Sequence, residues 1–468
     1  MAKNIFNIIA GIQAILLVIS CNGFLAETSQ DKFVPKTVSD YREFIAGEGF
    51  DIASAKPLSE FLEVMTDDVD EVVNPRRKDF RDNRVNSWGY YTWQDDPEIA
   101  QDNNIFEDDS WGSYYHKIVI SNIILDRINT MEVTDEKAKD DLIGEALFLR
   151  AWSYFMLANS YADPYESQEQ AKKTAGVPIN KHLNVNNHNL GISPLADVYD
   201  IIISDLKGAV NHFEKSNYGK ALLRPGYGAA VLLLSRVYLY MKNYPEAEKY
   251  ATLAITKSGA SLYDISKRPA NSLDRFIDFK NTEILYSYGG YALTKSYITA
   301  GNTDKGTFVV SPTFYDSYAA KDKRKSAFFS NSKPRVKPFK YYALTSKRVM
   351  GYAFRLAEAY LNRAEAYAEQ DQLGKAIEDL NTLRKYRIEG VAPLTVGDKQ
   401  TVINSVKTER RWELCFEGHR WFDLRRWGRP ELTHKYTSSD NKTNFTIYTL
   451  KEKDKHYTLP FPRKERNL

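Results

Sequence analysis

Cysteine is nearly absent: Cys21 and Cys415 are the only two in 468 residues. At most one disulfide is available, which excludes a disulfide-stapled scaffold and a cysteine-rich zinc site. The seven histidines are scattered and show no Cys/His metal spacing. Charge of one sign is also missing. Lys and Arg total 64 against 61 Asp and Glu, a net of +3, so no basic field calls for nucleic acid or an anionic membrane. A G-x-S-x-G elbow, an H-E-x-x-H helix and a phosphate-cradling glycine loop are all lacking, which removes the usual serine-hydrolase, zincin and nucleotide-binding chemistries. Neither a metal nor a cofactor is implied.

Aromatic residues are abundant, at 13% with 31 tyrosines, and 43% of the chain is hydrophobic. A chain of this length and composition buries a large core. Tyrosine joins an apolar ring to a polar tip, which suits helix junctions and sugar-contacting surfaces alike.

Residues 1–20 have the pattern of a secretory signal: Lys3, an apolar run from Ile5 to Ile19, and no acidic residue. The run ends in Val18-Ile19-Ser20-Cys21, the pattern of a lipobox whose cysteine is acylated. Cys415 lies in a helical, ring-rich segment and reads as a free core thiol rather than a partner for a tether cysteine. Residues 22–40 are polar and suit a tether. Asp67, Asp68, Asp70 and Glu71 read as a solvated acidic turn in preference to a calcium loop, because no EF-hand glycine accompanies them.

Between Arg76 and Asp109 the regular pattern breaks. Trp88, Tyr90, Tyr91 and Trp93 crowd six residues set among Asn, Gly, Asp and Pro. Two readings stand. The rings of Trp88, Tyr91 and Trp93, with Asp95 beside them, form a stacking platform for sugar, or they plug the loop onto the body. A second irregular region, 260–350, holds Tyr286, Tyr288, Tyr291, Tyr297 and Tyr315, and a basic run from Lys321 to Lys340 that reads as a solvated loop. Tyr291 and Tyr315 join the candidate ligand contacts.

Helical periodicity is strong elsewhere. One helix is expected from Trp111 to about Thr130 and another from Asp135 to Ser160, stopped by Asp163-Pro164. Residues 228–259 and 357–388 share tetratricopeptide-like spacing: Tyr238 to Ala247 in one copy matches Tyr367 to Ala376 in the other. Such units are scaffold, since each buries a face on its neighbour. The expected class is all-α, with helix pairs carrying long irregular loops.

The stretch Glu409 to Gly428, ERRWELCFEGHRWFDLRRWG, mixes five large rings with nine charges. That composition belongs where helices meet, with ion pairs satisfying one another at the junction. Arg410–Glu413 and Arg420–Asp423 have the i,i+3 spacing of local pairs, and Glu417 and Arg425 complete the clamp; His419 reads as a core histidine. Tyr457 to Pro462 reads as an extended segment pinned against the body.

This stretch, together with the lipobox, GEALFLRAWSYFMLANSYADP, RLAEAYLNRAEAY and YTLPFPRKER, resembles the SusD/RagB family of outer-membrane nutrient-binding lipoproteins. The resemblance implies a tetratricopeptide-bearing surface protein, lipid-anchored on the extracellular side of the outer membrane. Such a protein hands oligosaccharide to a SusC-like TonB-dependent transporter, and some members take peptides instead. It implies a signal peptide at 1–20, a tether at 21–40, an N-terminal helical region at 41–270, an irregular ligand-facing region at 271–350 and a C-terminal region at 351–468. It also implies binding without catalysis. The enzyme alternative, a glycoside hydrolase, would need paired carboxylates, for which Asp95, Asp96 and Glu98 are the candidates.

Overall fold

Small polar residues set the helix starts. The computed structural model describes residues 35–50, 59, 61–73, 78–184, 190–219, 221–288, 307–330, 336–341, 350–437 and 444–466. Thr37 opens α1 (Val38–Phe44) with a capping box closed by Asp40. After a short α2 (Trp88–Tyr91) comes α3 (Ser110–Arg127). Asp135 then accepts from the Lys137 and Ala138 amides to start α4 (Glu136–Tyr161), which stops before Asp163-Pro164. The next helices are α5 (Leu195–Ser216), α6 (Tyr227–Tyr240) and α7 (Tyr244–Lys257), the last capped by Asn243 with Pro245 in its first turn. The C-terminal half holds α8 (Leu356–Glu369), α9 (Leu373–Lys385), α10 (Lys399–Leu414) and α11 (Arg420–Arg426).

The class is all-α. Among the described residues every sheet is a two-stranded antiparallel ribbon. β1 (Val69–Glu71) pairs with β3 (Phe308–Val310), β2 (Ile284–Tyr288) with β4 (Tyr352–Arg355), and β5 (Leu432–Thr437) with β6 (Phe445–Leu450). Helix α4 lies between α3 and α5, with nearly all of Phe148–Tyr161 buried. A Cβ on Gly144 would sit 2.7 Å from the Phe213 ring, so α4 and α5 approach as closely as glycine permits. Arg150 stitches the three helices, donating to Asp205 on α5 at 2.7 Å and to Asn122 on α3 at 2.9 Å. The two tetratricopeptide-like pairs are α6–α7 and α8–α9, and α7 packs on α8. Their small-residue seams are Ala247, Ala251 and Ala254 in one pair and Ala364 and Ala376 in the other, all fully buried.

Several local expectations are overturned by long-range contacts. The Trp88 segment is helical rather than irregular, with Thr92 Oγ1 donating to the Trp88 carbonyl at its end. The acidic turn is solvated at Asp70 but not before it: Asp68 is fully buried, and Asp67 takes two bonds of 2.8 Å from Arg420. Within the basic run, Arg324 and Lys340 are fully buried, because carboxylates from distant elements neutralise them. The C-terminal stretch folds as the β5–β6 ribbon before reaching its pinned segment, where the Leu459 amide donates to the Ser160 carbonyl at 3.0 Å. Cys415 is a buried free thiol, pushed up to about 11 by burial. The signal, Cys21 and most of the tether lie outside the described residues, as does Tyr291.

The clamp residues converge, but not on the partners that local spacing suggests. Arg410 pairs with Asp423 on α11 at 2.9 Å and donates to Asn362 on α8 at 2.7 Å. Glu413, at the end of α10, accepts from Arg355 at 2.8 Å and from two nitrogens of Arg387 at 2.9 Å. Glu417 accepts from Lys340 at 2.6 Å and from Arg355 at 2.7 Å. Arg425 finds no carboxylate; it donates to the Asn159 and Ala162 carbonyls at the end of α4, and burial pushes it down to about 10. Arg324, Lys340, Arg355, Arg384 and Arg387 thus oppose Asp322, Glu283, Glu409, Glu413 and Glu417, five cations against five carboxylates. Removing one member leaves a buried charge uncompensated, which costs about 3–5 kcal/mol. Glu413→Gln is therefore expected to lower the unfolding free energy by that amount, read as a lower urea midpoint at unchanged slope. A variant that melts with the wild type would show that the network does not hold the fold.

Candidate functional site

Beside this network a small cleft of about 50 Å³ lies between the end of β2, helices α4 and α6, and the Glu417–His419 turn. Trp152 comes from α4, Tyr240 from α6, Tyr286 and Tyr288 from β2, and Tyr352 from β4. Their positions follow from local structure. β2 and β4 are in register at Tyr288↔Tyr352, which sets the two rings 5.9 Å apart on one face. The Trp152 ring meets Tyr288 at 5.2 Å, near perpendicular. Among the described lining residues Tyr288, Tyr352 and Gly418 are half-buried, which marks them as the cleft's mouth, and the others are buried. Gly418 turns with φ +79°, a conformation that glycine adopts without strain.

The charged groups lining the cleft are already engaged. Arg236 donates two bonds of 2.6 Å to Glu358 and lies 5.4 Å over the Trp152 ring. Glu417 belongs to the ion network, and Lys117 donates to the Gly49 carbonyl at 2.9 Å. Burial pushes His419 well below its usual range, and the guanidiniums of Arg236 and Arg410 reinforce the shift. It is a neutral core histidine. Rings and hydroxyls facing a cavity whose charges are spent can bind and orient a neutral, hydroxylated ligand. Among the described residues no cluster of His, Cys, Asp or Glu is arranged to hold a metal ion.

Tyr286 and Tyr288 of the second irregular region line the cleft, but the described residues among the expected ligand contacts lie elsewhere. Tyr91 and Trp93 are 1% and 5% exposed and clasp His434 of β5 from opposite sides, at 4.1 and 4.2 Å. Trp93 Nε1 donates to the Met65 carbonyl at 3.1 Å. Rings this buried have no face to offer a sugar, so these two plug the loop under the C-terminal ribbon. Trp88 is half-buried, edge-on to Tyr448 of β6 at 6.3 Å. Asp95 is exposed and held below the usual carboxylate range by Lys455 and His456. Tyr315 packs edge-on to Phe329 at 5.5 Å with Lys325 over its ring at 4.4 Å. None of these lines the cleft. Trp152 and Tyr240 escaped sequence reading because they sit in strongly helical stretches and look like ordinary core rings. Tyr352 gave no signal at all before its strand partner was known.

Comparison with known proteins gives two family matches. A model described as starch-binding and associating with the outer membrane matches residues 35–239, and a model described as the SusD family matches residues 270–467. The chain is similar to SusD-like protein P25 of Formosa agariphila, at 23% identity over 98% of this chain and 96% of that protein. A Bacteroides vulgatus protein of known structure is 26% identical with a TM-score of 0.73, over 93% of this chain and 97% of the other. A second, a SusD-like carbohydrate binding protein from the same organism, is 20% identical with a TM-score of 0.67, over 92% and 96%.

One buried acid behind the mouth makes stability depend on pH. Glu63 accepts from the Gly418 amide at 2.6 Å and is 2% exposed. Burial, with Asp68 and Glu417 nearby, pushes its carboxyl up to about 8. An unfolded glutamate titrates near 4.3. The stability that the neutral acid contributes is therefore full below about pH 4.3 and is lost as pH rises towards about 8. The wild type should lose a few kcal/mol across that window that Glu63→Gln does not, read by urea unfolding of both at pH 5 and pH 9. Parallel pH curves would show that Glu63 is ionised in the fold.

Proposed function

The chain belongs to the SusD/RagB family, and on that footing we propose that it is a surface lipoprotein that captures oligosaccharide in the aromatic cleft. It then passes the ligand to a SusC-like TonB-dependent outer-membrane transporter without chemical change. The family is typically carbohydrate-binding, and the matching model over residues 35–239 describes starch binding in association with the outer membrane. The observation that carries the assignment of the site is the half-buried Tyr288–Tyr352 pair at the mouth of a cleft backed by Trp152. Ring faces meet the C–H side of a pyranose, and phenol hydroxyls meet its hydroxyls.

Membrane attachment in this reading falls to Cys21, acylated in the lipobox; no described helix is long and apolar enough to cross a membrane. Stable anchoring requires more than one acyl chain. The binder reading is also favoured over the glycosidase by the state of the candidate carboxylates. Asp96 is held below its usual range by Arg466 and Arg463, and Asp95 by Lys455 and His456. A general acid of a glycosidase needs the opposite shift.

Each stacked ring contributes about 1 kcal/mol, so affinity falls in the micromolar to millimolar range. Many copies displayed on a surface compensate by avidity. Replacing Tyr352 by Ala is expected to weaken binding of the preferred sugar about five- to tenfold in calorimetric titration, while Trp88→Ala leaves affinity unchanged. The reverse pattern would move the site to the 88–93 segment. Silence across malto-, cello-, xylo- and laminari-oligosaccharides with a peptide hit would replace glycan by peptide.

A further inference from the structure

His434 of β5 is 3% exposed, and both of its ring nitrogens meet backbone carbonyls. Nδ1 lies 2.6 Å from the Tyr91 oxygen at the end of α2, and Nε2 lies 2.9 Å from the Thr66 oxygen in the turn before β1. A carbonyl only accepts. A neutral imidazole has one N–H, so it can donate to one of these oxygens and must turn a lone pair on the other. Rotating the ring by half a turn would put C–H groups at both contacts. Only the imidazolium donates to both carbonyls at once.

The surroundings of the ring favour the same state. Tyr91 and Trp93 stack on it at 4.1 and 4.2 Å, inclined by 12° and 22°. An aromatic face attracts a cation, and more strongly where water is excluded. Burial works the other way and pushes the ring down to about 4, against the pull of both carbonyls and of Asp67; the two aromatic faces add to that pull. The charged neighbours are paired or exposed. Asp67 and Asp68, in the turn that offers the Thr66 carbonyl, are held by Arg411 and Arg420. Glu71 of β1 is held by Arg84 at 2.7 Å, and Asp70 and Lys435 are exposed. Burial raises the Tyr91 and Tyr436 phenols, which stay neutral.

We propose that His434 is held as an imidazolium in the native fold at neutral pH, a proton-dependent latch that ties β5 to α2 and to the turn before β1. Loss of the proton leaves one carbonyl facing a lone pair, and the β5–β6 ribbon loosens from the Trp88–Trp93 segment. The latch is closed in acid and opens as pH rises. An unfolded histidine titrates near 6.5. A ring that keeps its proton above that value contributes stability that is full below about pH 6.5 and is lost as pH rises through the folded titration. Glu63 loses stability over an overlapping window, so the latch is read in a Glu63→Gln background.

The test is nitrogen NMR of the histidine rings in the full chain in mild detergent, labelled at histidine. His116, His212 and His456 are replaced by Gln, because each lies beside a carboxylate. The His434 ring is assigned by its loss in His434→Gln or, should that variant fail to fold, by through-space contacts to the Tyr91 and Trp93 ring protons in the parent. The expected result is a ring with both nitrogens protonated at neutral pH. A ring with one protonated nitrogen there overturns the proposal. Hydrogen exchange supplies the second arm. Protection of the Tyr436 and Ile447 amides, corrected for the intrinsic rate, should fall about tenfold as His434 loses its proton. Protection that stays constant through that titration overturns the latch, even where the ring is found charged.

Discussion

The ion network around Glu413 and Glu417 is the constraint that the rest of the structure obeys. Its members come from β4, α9, α10, the segment before β2, the segment around 322–340 and the turn after α10. Each is costly to bury alone, so none of these segments can settle until the others arrive. Five cations meet five carboxylates, and the exclusion of water strengthens their attraction as much as it raises the penalty for an error. The network joins the second helix pair to the loop-rich middle of the chain. Glu63 shows the limit of this balance. Among the described residues no cation forms an ion pair with it, burial pushes its carboxyl up to about 8, and the Gly418 amide donates to it.

How much of this was legible depends on how local the determinant was. Helix α4 was readable from Asp135 and Asp163-Pro164, because a cap and a proline act within one turn. The paired helices were readable because small and large residues recur at fixed spacing on each. The clamp was readable as a class, since that density of rings and charges has few other places to go. Its wiring was not. Spacing offered Arg410–Glu413 and Arg420–Asp423, whereas the fold gives Arg410–Asp423, Glu413–Arg387 and Arg420–Asp67. A buried guanidinium takes the partner that completes its desolvated geometry, and sequence distance has no weight in that choice. Asp68 and Lys340 were misread for the same reason, as surface charges whose partners lie far away in the chain.

The site was legible only in kind. Aromatic abundance announced ring-based recognition, but a ring's use depends on which faces are left uncovered, and that is a tertiary property. Trp93 and Tyr91 each stack a face on His434 and are otherwise buried. Tyr288 and Tyr352 stand at the end of a ribbon that has two strands among the described residues, and both stay half-buried.

The placement of the cleft against the network decides what kind of ligand it favours. Glu417 is at once a wall of the cleft and a member of the network, and Arg236 on the opposite wall is locked to Glu358. A uronate, sulfate or ammonium group entering here would lose its water and find every fixed charge already neutralised at close range, a net cost. A neutral pyranose loses less on leaving water and gains ring contacts. Rigidity follows from the same source. Walls held by buried ion pairs do not reorganise on binding, so little ordering entropy is lost.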